Sequence, residues 1–198
     1  NAGAIAATAL VAGTTADERW DTIRTGLSAF AGRALSLDDE VLASARATNS
    51  RNQAIARLLQ STGALEADPA ETVDLYTRRR RLRAPAAARA TRGATRADGG
   101  GTPVTGVRVV GEQTCRHTLA VMTTAGLYET SGDWLYDVGL PGKSGIGGGI
   151  ITVSPGKGGL ATYSPPLDAA GNSVRGQLAA HFLSRRLGLD LFASTPVG

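Results

Sequence analysis

The stretch from Val138 to Gly149 reads Val-Gly-Leu-Pro-Gly-Lys-Ser-Gly-Ile-Gly-Gly-Gly. A short apolar run enters a turn that carries a lysine, a hydroxyl group and then several glycines. Glycines let main-chain N–H groups approach a ligand closely, as an oxyanion hole requires. The same residues would also suit a flexible turn with a solvated lysine, so spacing alone leaves both interpretations open. The order Gly-x-x-x-x-Gly-Lys-Ser/Thr is absent, which argues against a phosphate-binding loop.

The residues on either side of this stretch have the pattern of short β-strands. Apolar and aromatic residues cluster in short runs after Ser131, and Gly- and Pro-rich turns separate the runs. This spacing predicts an antiparallel meander. The predicted strands are Trp134–Val138, Ile150–Val153 and Leu160–Tyr163.

A helix is predicted to close the chain. It would begin at Asn172 or Ser173, either of which can cap a helix, and it would end at Gly188. Apolar side chains recur at i, i+4 and i+8, which indicates an amphipathic helix. They belong to Val174, Leu178 and Phe182.

The first half of the chain predicts helices with defined starts. Thr15 and Glu18 have the spacing of a capping box. Asp68 would be the N-cap of a later helix, with Pro69 at its first position and Glu71 at N3. Helices around a small antiparallel sheet make an α+β fold. Further helices are predicted at Arg51–Gln60 and Cys115–Met122.

Composition restricts the class of protein. The chain has 198 residues, of which 42% are hydrophobic, and this is enough to build the core of one domain. Its apolar stretches are too short and too weak to span a bilayer. The single cysteine, Cys115, permits no internal disulfide and offers no metal-ligand spacing, so a cytoplasmic protein without a metal is expected.

The positive charge is concentrated in one arginine-rich segment. The net charge is +4, but eight arginines lie between Arg78 and Arg96 without an acidic residue among them. A basic nucleic-acid-binding module centred there is one alternative, although aromatic stacking partners are absent from the segment. By composition alone, Pro85–Gly101 could be a linker.

Several motifs resemble known families. Lys143-Ser144-Gly145 is similar to the lysine-Thr/Ser-glycine motif of the penicillin-recognising and β-lactamase enzymes. Longer motifs resemble the serine-dependent glutaminases and occur in the same order, so the resemblance covers nearly the whole chain. It implies a β-lactamase-like fold, with helices packed around a small antiparallel sheet. The motifs are Asn1–Ile5, Asn49–Ile55, Val73–Tyr76, Gly126–Trp134, Val138–Gly145 and Ser164–Gly176.

The resemblance also implies an activity and a set of site residues. The family hydrolyses the side-chain amide of L-glutamine through an acyl-serine intermediate, without a cofactor or a metal. Asn1, Asn52 and Tyr76 match positions that bind the amino-acid end of glutamine. Tyr128 matches the tyrosine that relays a proton to the departing ammonia, and Ile146 contributes its backbone N–H to the oxyanion hole. Support for the active site would come from Lys143, Ser144 and Gly145.

Each of these residues has an ordinary structural interpretation as well. Tyr76 could be a core tyrosine on an apolar helix face, and Asn1 and Asn52 could be helix caps. Tyr128 could be an aromatic residue at the start of a strand, and Lys143 could be a solvated charge. Sequence patterns alone do not separate these interpretations from the functional ones.

The resemblance places the nucleophile outside the printed residues. In the family, the serine and its lysine form a Ser-x-x-Lys motif upstream of the position that Asn1 matches. Residues 1–198 are therefore expected to be the C-terminal part of a glutaminase catalytic domain, and of its fold, without that segment. The resemblance further implies a homo-oligomer, either a dimer or a tetramer, with glutamine as its small-molecule partner and no nucleic acid or membrane. A catalytically inactive relative retained for assembly is the other alternative.

The chain departs from the family pattern at two places. Ala45 stands where the family has a glutamate that pairs with the ammonium group of the substrate. Arg89, Arg92 and Arg96 stand where the family has apolar residues on a buried helix. Because an unpaired guanidinium is costly to bury, these three side chains are expected to be exposed or poorly ordered.

Overall fold

A computed structural model of the protein describes residues 1–194. Within those residues the chain forms nine α-helices and three β-strands, and it divides into two compact units. The helices are α1 (Ala2–Ala9), α2 (Ala16–Ala31), α3 (Asp39–Ala47), α4 (Ser50–Ser61), α5 (Pro69–Arg80), α6 (Ala86–Ala97), α7 (Glu112–Ala125), α8 (Ser131–Val138) and α9 (Val174–Arg186). The strands are β1 (Gly142–Gly145), β2 (Gly149–Ser154) and β3 (Gly158–Tyr163).

The first unit comprises Asn1–Ser28 and Ala34–Arg83 and is helical. Its predicted caps are present. The Thr15 hydroxyl accepts a hydrogen bond from the Glu18 backbone N–H at 3.2 Å, and an Asp68 carboxylate oxygen accepts one from the Glu71 N–H at 2.7 Å. The helices pack around a core in which every member is almost fully buried. That core consists of Ile5, Ala56, Leu65, Val73 and Tyr76.

The second unit comprises Ala29–Arg33 and Ala84–Gly198, of which the structure describes the part up to residue 194. Its sheet is an antiparallel meander in the order β1-β2-β3, in which Ser144 pairs with Ile150 and Ile150 pairs with Thr162. Predicted strands two and three are therefore confirmed, as is the predicted helix that α7 forms.

Helices cover both faces of this sheet. Gly93 of α6 lies against Ile151, whereas Ala180 of α9 belongs to the core cluster that contains Ile150. Because neighbouring residues of a strand point to opposite faces, α6 and α9 pack on opposite sides. The closing helix begins as predicted, since the Ser173 hydroxyl accepts a hydrogen bond from the Gly176 N–H at 3.1 Å.

The prediction that Trp134–Val138 forms a strand is wrong. These residues end helix α8, and Gly139 terminates it in the left-handed region at φ 68°. Trp134 and Val138 lie one helical turn apart, and both are buried in the same cluster. The indole N–H donates to the Leu140 carbonyl at 2.7 Å, which satisfies its buried polar group. Trp134 and Val138 have the i, i+4 spacing of a helix. The aromatic residues of this segment also favour a strand, and the strand prediction followed from them.

The interpretation of Pro85–Gly101 as a linker is also wrong. Helix α6 occupies most of this segment and packs against β2 and β3. Small residues make the contact: a Cβ atom added to Gly93 would lie only 3.1 Å from the Gly159 Cα atom. Alanine and arginine are both strong helix formers, so the composition was compatible with a helix as well as with a linker.

The expectation that Arg89, Arg92 and Arg96 are exposed or poorly ordered is contradicted. All three lie on ordered helix α6 and are partly buried. Arg89 donates to the Ala84 carbonyl at 2.9 Å, and Arg96 donates to the Arg92 carbonyl at 2.7 Å. Arg92 differs, because within residues 1–194 its Nε and Nη2 atoms are buried without a hydrogen-bond partner. The long alkyl stems let the helix pack closely while Arg89 and Arg96 each still reach a backbone carbonyl.

Candidate functional site

Tyr128 has an unusual backbone conformation. It begins a short 3₁₀ turn, Tyr128–Thr130, and it is the one non-glycine residue with positive φ among residues 1–194, at 57°. This left-handed region is unfavourable for a residue with a Cβ atom, and such strain persists only where the surroundings enforce it. The side chain itself is 38% exposed, so the phenol is available to a ligand.

Three polar side chains enforce this conformation. The Ser131 hydroxyl accepts from the Leu127 N–H at 3.0 Å and donates to the Tyr128 carbonyl at 2.8 Å. The Thr130 hydroxyl donates to the Leu127 carbonyl at 2.8 Å. Asn172, which is fully buried, donates to the Leu127 carbonyl at 3.3 Å and to the Thr130 hydroxyl at 2.9 Å. The turn is thus held from both sides of Tyr128.

Asn172 is in turn held by the loop that precedes α9. Its backbone N–H donates to the Asp168 carboxylate at 2.9 Å, and Gln177 donates to the other oxygen at 2.8 Å. These hydrogen bonds, the one from Asn172 foremost, lower the pKa of Asp168. The carboxylate therefore stays charged at neutral pH and fixes the loop. The sequence suggested Asn172 only as a possible cap of the closing helix, a place that Ser173 takes, and gave it no role at this site although it lies in the recognised Ser164–Gly176 motif.

Lys143 and Tyr128 lie together. The Lys143 ammonium group is 4.9 Å from the centre of the Tyr128 ring, and it donates to the Gly126 carbonyl at 3.2 Å and to the Ser144 carbonyl. A cation over an aromatic face is attracted by the negative face of the ring. Ser144 points to the opposite side of the strand, where its buried hydroxyl has no hydrogen-bond partner in the part of the chain described here.

Ile146 lies in the β1–β2 turn, with 61% of its surface exposed. Gly148 closes this turn by donating its N–H to the Gly145 carbonyl at 2.9 Å. A Cβ atom on Gly171 would lie 3.4 Å from an Ile146 methyl group and 3.9 Å from a Tyr128 ring carbon. The second unit therefore brings Tyr128, Lys143 and Ile146 into one neighbourhood.

Asn1 and Asn52 are hydrogen-bonded to each other in the first unit. The Asn1 side-chain amide donates to the Asn52 side-chain oxygen at 3.0 Å. Asn1 is the N-cap residue of α1, but its side chain makes no capping hydrogen bond, and Asn52 lies inside α4. The interpretation of these side chains as helix caps is therefore wrong.

Tyr76 lies in the core of the first unit, with only 2% of its surface exposed. Its hydroxyl accepts a hydrogen bond from Arg80 at 2.8 Å, and the Arg79 guanidinium lies 5.2 Å from the ring centre. The structure thus shows a buried ring whose polar end contacts a cation.

Ala45 lies near the end of α3, four residues before the α4 N-cap Asn49, and it is buried. A methyl group at this place cannot supply the negative charge that the family resemblance implies.

One Ser-x-x-Lys sequence does occur in the chain, at Ser154–Lys157, and sequence reasoning overlooked it. It forms the turn between β2 and β3 rather than the start of a helix. The Ser154 hydroxyl donates to the Leu189 carbonyl at 3.5 Å, and the Lys157 ammonium group donates to the Gly188 carbonyl at 2.8 Å. This arrangement does not resemble an activated serine nucleophile, which needs a base in contact with its hydroxyl.

The arginine-rich segment does not form a free cationic surface. Arg78 pairs with Asp74 at 2.7 Å, and Arg83 pairs with Asp38 at 3.1 Å. Together with the partly buried arginines of α6, these contacts disfavour the nucleic-acid-binding alternative. Between residues 1 and 194, His, Cys, Asp and Glu form no group suited to a metal ion. No helix in that range has both the length and the apolar character needed to cross a membrane.

Comparisons with known proteins agree with this arrangement. The family model described as Glutaminase matches residues 1–192. Glutaminase 2 of Yersinia pestis is 62% identical over 196 residues, which are 99% of this chain and 58% of the relative. The glutaminase of Brucella canis is 50% identical over 194 residues, which are 98% of this chain and 61% of the relative. The chain thus spans about three fifths of these relatives.

Solved structures give the same result. A probable glutaminase, ybaS, matches with a TM-score of 0.95 and 46% identity over 98% of this chain and 62% of its own. A Bacillus subtilis glutaminase, YbgJ, in covalent complex with 5-oxo-L-norleucine matches with a TM-score of 0.92 and 28% identity over 96% of this chain and 68% of its own. The predicted fold class is confirmed, and this chain belongs to the glutaminase family.

Proposed function

We propose that the whole protein hydrolyses the side-chain amide of L-glutamine to L-glutamate and ammonia through an acyl-serine intermediate. Residues 1–198 would supply the groups that bind the substrate and transfer protons, and an upstream Ser-x-x-Lys segment would supply the nucleophile. The observation that carries the proposal is the family match over residues 1–192. The YbgJ complex, which formed by covalent reaction of that protein with 6-diazo-5-oxo-L-norleucine, supports a covalent mechanism.

The residues of the second unit have chemistry suited to this reaction. The exposed Tyr128 phenol can pass a proton to the departing ammonia, and the Lys143 ammonium group lies over its ring, 4.9 Å from the ring centre. Among residues 1–194 the Ile146 backbone N–H has no protein acceptor, so it is available to an oxyanion. The braced turn fixes the backbone from which the Tyr128 side chain projects before the substrate arrives, which reduces the entropy that catalysis must overcome.

The residues of the first unit have groups suited to the amino-acid end of glutamine. Asn1 and Asn52 present amides that can donate to a carboxylate and accept from an ammonium group. Tyr76 would act through its hydroxyl, which Arg80 already contacts. With Ala45 in place of glutamate, the ammonium group of the substrate lacks one carboxylate partner. We therefore expect weaker substrate binding than in a relative that has glutamate there.

Glutamine turnover tests this proposal. We define the extended form as the printed chain preceded by a glutaminase segment that carries Ser-x-x-Lys. The extended form should release ammonia from L-glutamine, and the chain by itself should not, because its Ser154–Lys157 sequence lies in a hairpin turn. Turnover by the chain by itself, with its mass verified, would contradict the assignment of the nucleophile.

We also propose that the protein is a cytoplasmic homo-oligomer, either a dimer or a tetramer. The free thiol of Cys115 is compatible with a reducing compartment. The apolar stripe on α9 supports assembly, since its side chains are 41–66% exposed and would be better buried. This stripe consists of Val174, Leu178 and Phe182.

A further inference from the structure

A chain of hydrogen bonds runs from the surface of the first unit into its core. Asn1 donates to Asn52 at 3.0 Å, Asn52 donates to the Asn49 side-chain oxygen at 2.6 Å, and Asn49 donates to the Thr77 hydroxyl at 2.7 Å. Thr77 donates to the Val73 backbone carbonyl at 2.6 Å. We call this chain the amide relay. Burial increases along it, from exposed Asn1 to Thr77 and Val73 in the core.

The inner end of the amide relay determines the direction of every hydrogen bond in it. A backbone carbonyl can only accept, so the Thr77 hydroxyl must donate to Val73 and can then accept from Asn49. Asn49 therefore turns its NH₂ group inward and its oxygen toward Asn52. The same reasoning orients Asn52, whose NH₂ group faces Asn49 and whose oxygen faces Asn1.

The outer end of the amide relay consequently has a defined polarity. Asn1 uses one N–H on Asn52, so its side-chain oxygen remains available as an acceptor. Asn52 keeps its second N–H as a donor. Without the inner anchor, each amide could rotate by half a turn and exchange its oxygen for its NH₂ group at little cost, because the two groups have nearly the same shape.

The relay has a local cost, since two of its members occupy N-cap positions without capping. Asn1 precedes α1 and Asn49 precedes α4, and neither side chain accepts a hydrogen bond from its own helix. An asparagine that caps stabilises its helix, and both helices forgo that contribution. Both side chains are instead used to orient Asn52 from its two ends.

We infer that Asn49 and Thr77 are positioning residues that orient the Asn1 and Asn52 amides toward the substrate. The inference rests on the proposed function, which gives Asn1 and Asn52 the amino-acid end of glutamine. With this polarity the Asn1 oxygen accepts from the substrate's ammonium group, and the free Asn52 N–H donates to its carboxylate. The Asn1 oxygen thereby supplies part of the acceptor capacity that the family glutamate would provide at the position of Ala45.

Binding of L-glutamate to the extended form, and to variants of it, tests this inference. Side-chain amide resonances of Asn1 and Asn52, followed by ¹⁵N NMR, report both the relay without ligand and the affinity on titration. Thr77→Val should shift the Asn52 resonance in the free protein and weaken binding about tenfold, as expected for one misoriented hydrogen-bond pair. Thr77→Ser, which keeps the hydroxyl, should bind like the unmutated extended form. Thr72→Val provides the matched control, because Thr72 is also buried on the same helix but lies outside the relay.

A second pair of variants covers the case in which Thr77→Val does not fold. Asn49→Asp keeps an acceptor for Asn52 and should retain binding, whereas Asn49→Leu removes the acceptor and should lose it. If the unmutated extended form binds and Thr77→Val or Asn49→Leu binds equally well, the positioning role is wrong and the proposed function stands. If L-glutamate leaves the Asn1 and Asn52 resonances of the unmutated extended form unchanged, the substrate-binding assignment is wrong, and the inference fails with it.

Discussion

Tyr128→Phe in the extended form should lower kcat for glutamine by roughly 10²–10⁴ and leave KM nearly unchanged. The hydroxyl is the proposed proton donor to the departing ammonia, and loss of such a group costs about this factor. The remaining contacts survive the substitution, since Lys143 lies over the ring, 4.9 Å from its centre, and the turn is held by Ser131, Thr130 and Asn172. The defect should therefore be confined to the chemical step.

Steady-state kinetics of the extended form and a second tyrosine variant measure this effect. Tyr136→Phe is the control, because Tyr136 is 90% exposed on α8 and has no assigned role, so both constants should be unchanged. A Tyr128→Phe enzyme whose kcat stays within about threefold of the parent would rule out the proton-relay role, because general acid catalysis contributes far more than that.

Arg92→Leu should stabilise the chain by about 1–3 kcal/mol. Arg92 is a partly buried cation whose Nε and Nη2 atoms have no hydrogen-bond partner within residues 1–194, and buried polar groups without partners are costly. Replacement of buried charges by apolar residues is often stabilising by this amount. The increase in the free energy of unfolding should appear in urea titrations and as a rise of about 2–10 °C in Tm.

The stabilisation by Arg92→Leu should not depend on pH in the neutral range. Burial, reinforced by repulsion from Arg96 and Arg89, lowers the pKa of Arg92 to about 10. Both the folded and the unfolded chain therefore hold this proton below pH 10, and the cost of the buried cation is present in full. Above that pH the folded state loses the proton first, so this cost should diminish only in alkaline solution.

Arg116→Leu is the matched control for the stability measurement. Arg116 is exposed on α7, and substitutions at such positions usually change stability by less than about 0.5 kcal/mol. A similar gain in both variants would mean that added apolar character, rather than relief of the Arg92 cation, is the cause. A loss of stability in Arg92→Leu would show that the guanidinium contributes favourable contacts.

Much of the architecture could be predicted where local chemistry determines the structure. The caps at Thr15 and Asp68 depend on residues three positions apart, and the structure confirms both. The same holds for Ser173, whose hydroxyl caps α9. Strands β2 and β3 were predictable because β-branched and apolar runs lie between glycine turns.

Features that depend on tertiary packing were harder to predict. In α9 the small residues Gly176, Ala180 and Ser184 are the buried ones, and a Cβ atom on Gly176 would lie only 2.8 Å from the Thr162 hydroxyl of β3. The apolar stripe from which the helix was predicted, Val174, Leu178 and Phe182, is instead exposed. In α6, likewise, Gly93 makes the close contact with the sheet.

At the candidate site, too, the sequence indicated individual residues but not the contacts between distant segments. Family motifs indicated Tyr128, but the positive φ that singles it out requires a brace from Asn172, which lies far along the chain in the loop before α9. The role of Asn49 was hidden because its position reads as an ordinary N-cap. Hydrogen bonds between distant segments leave no periodic signal in a sequence.

Covalent labelling tests the central claim most directly, namely that this chain supplies the substrate-binding and proton-transfer groups to a serine nucleophile in a separate segment. The extended form and the printed chain would each be treated with 6-diazo-5-oxo-L-norleucine and analysed by intact-mass and peptide mass spectrometry. The proposal predicts one adduct per extended chain, on the serine of the added Ser-x-x-Lys, and none on the printed chain. An adduct on Ser154, or on any other residue of the printed chain, would contradict the claim.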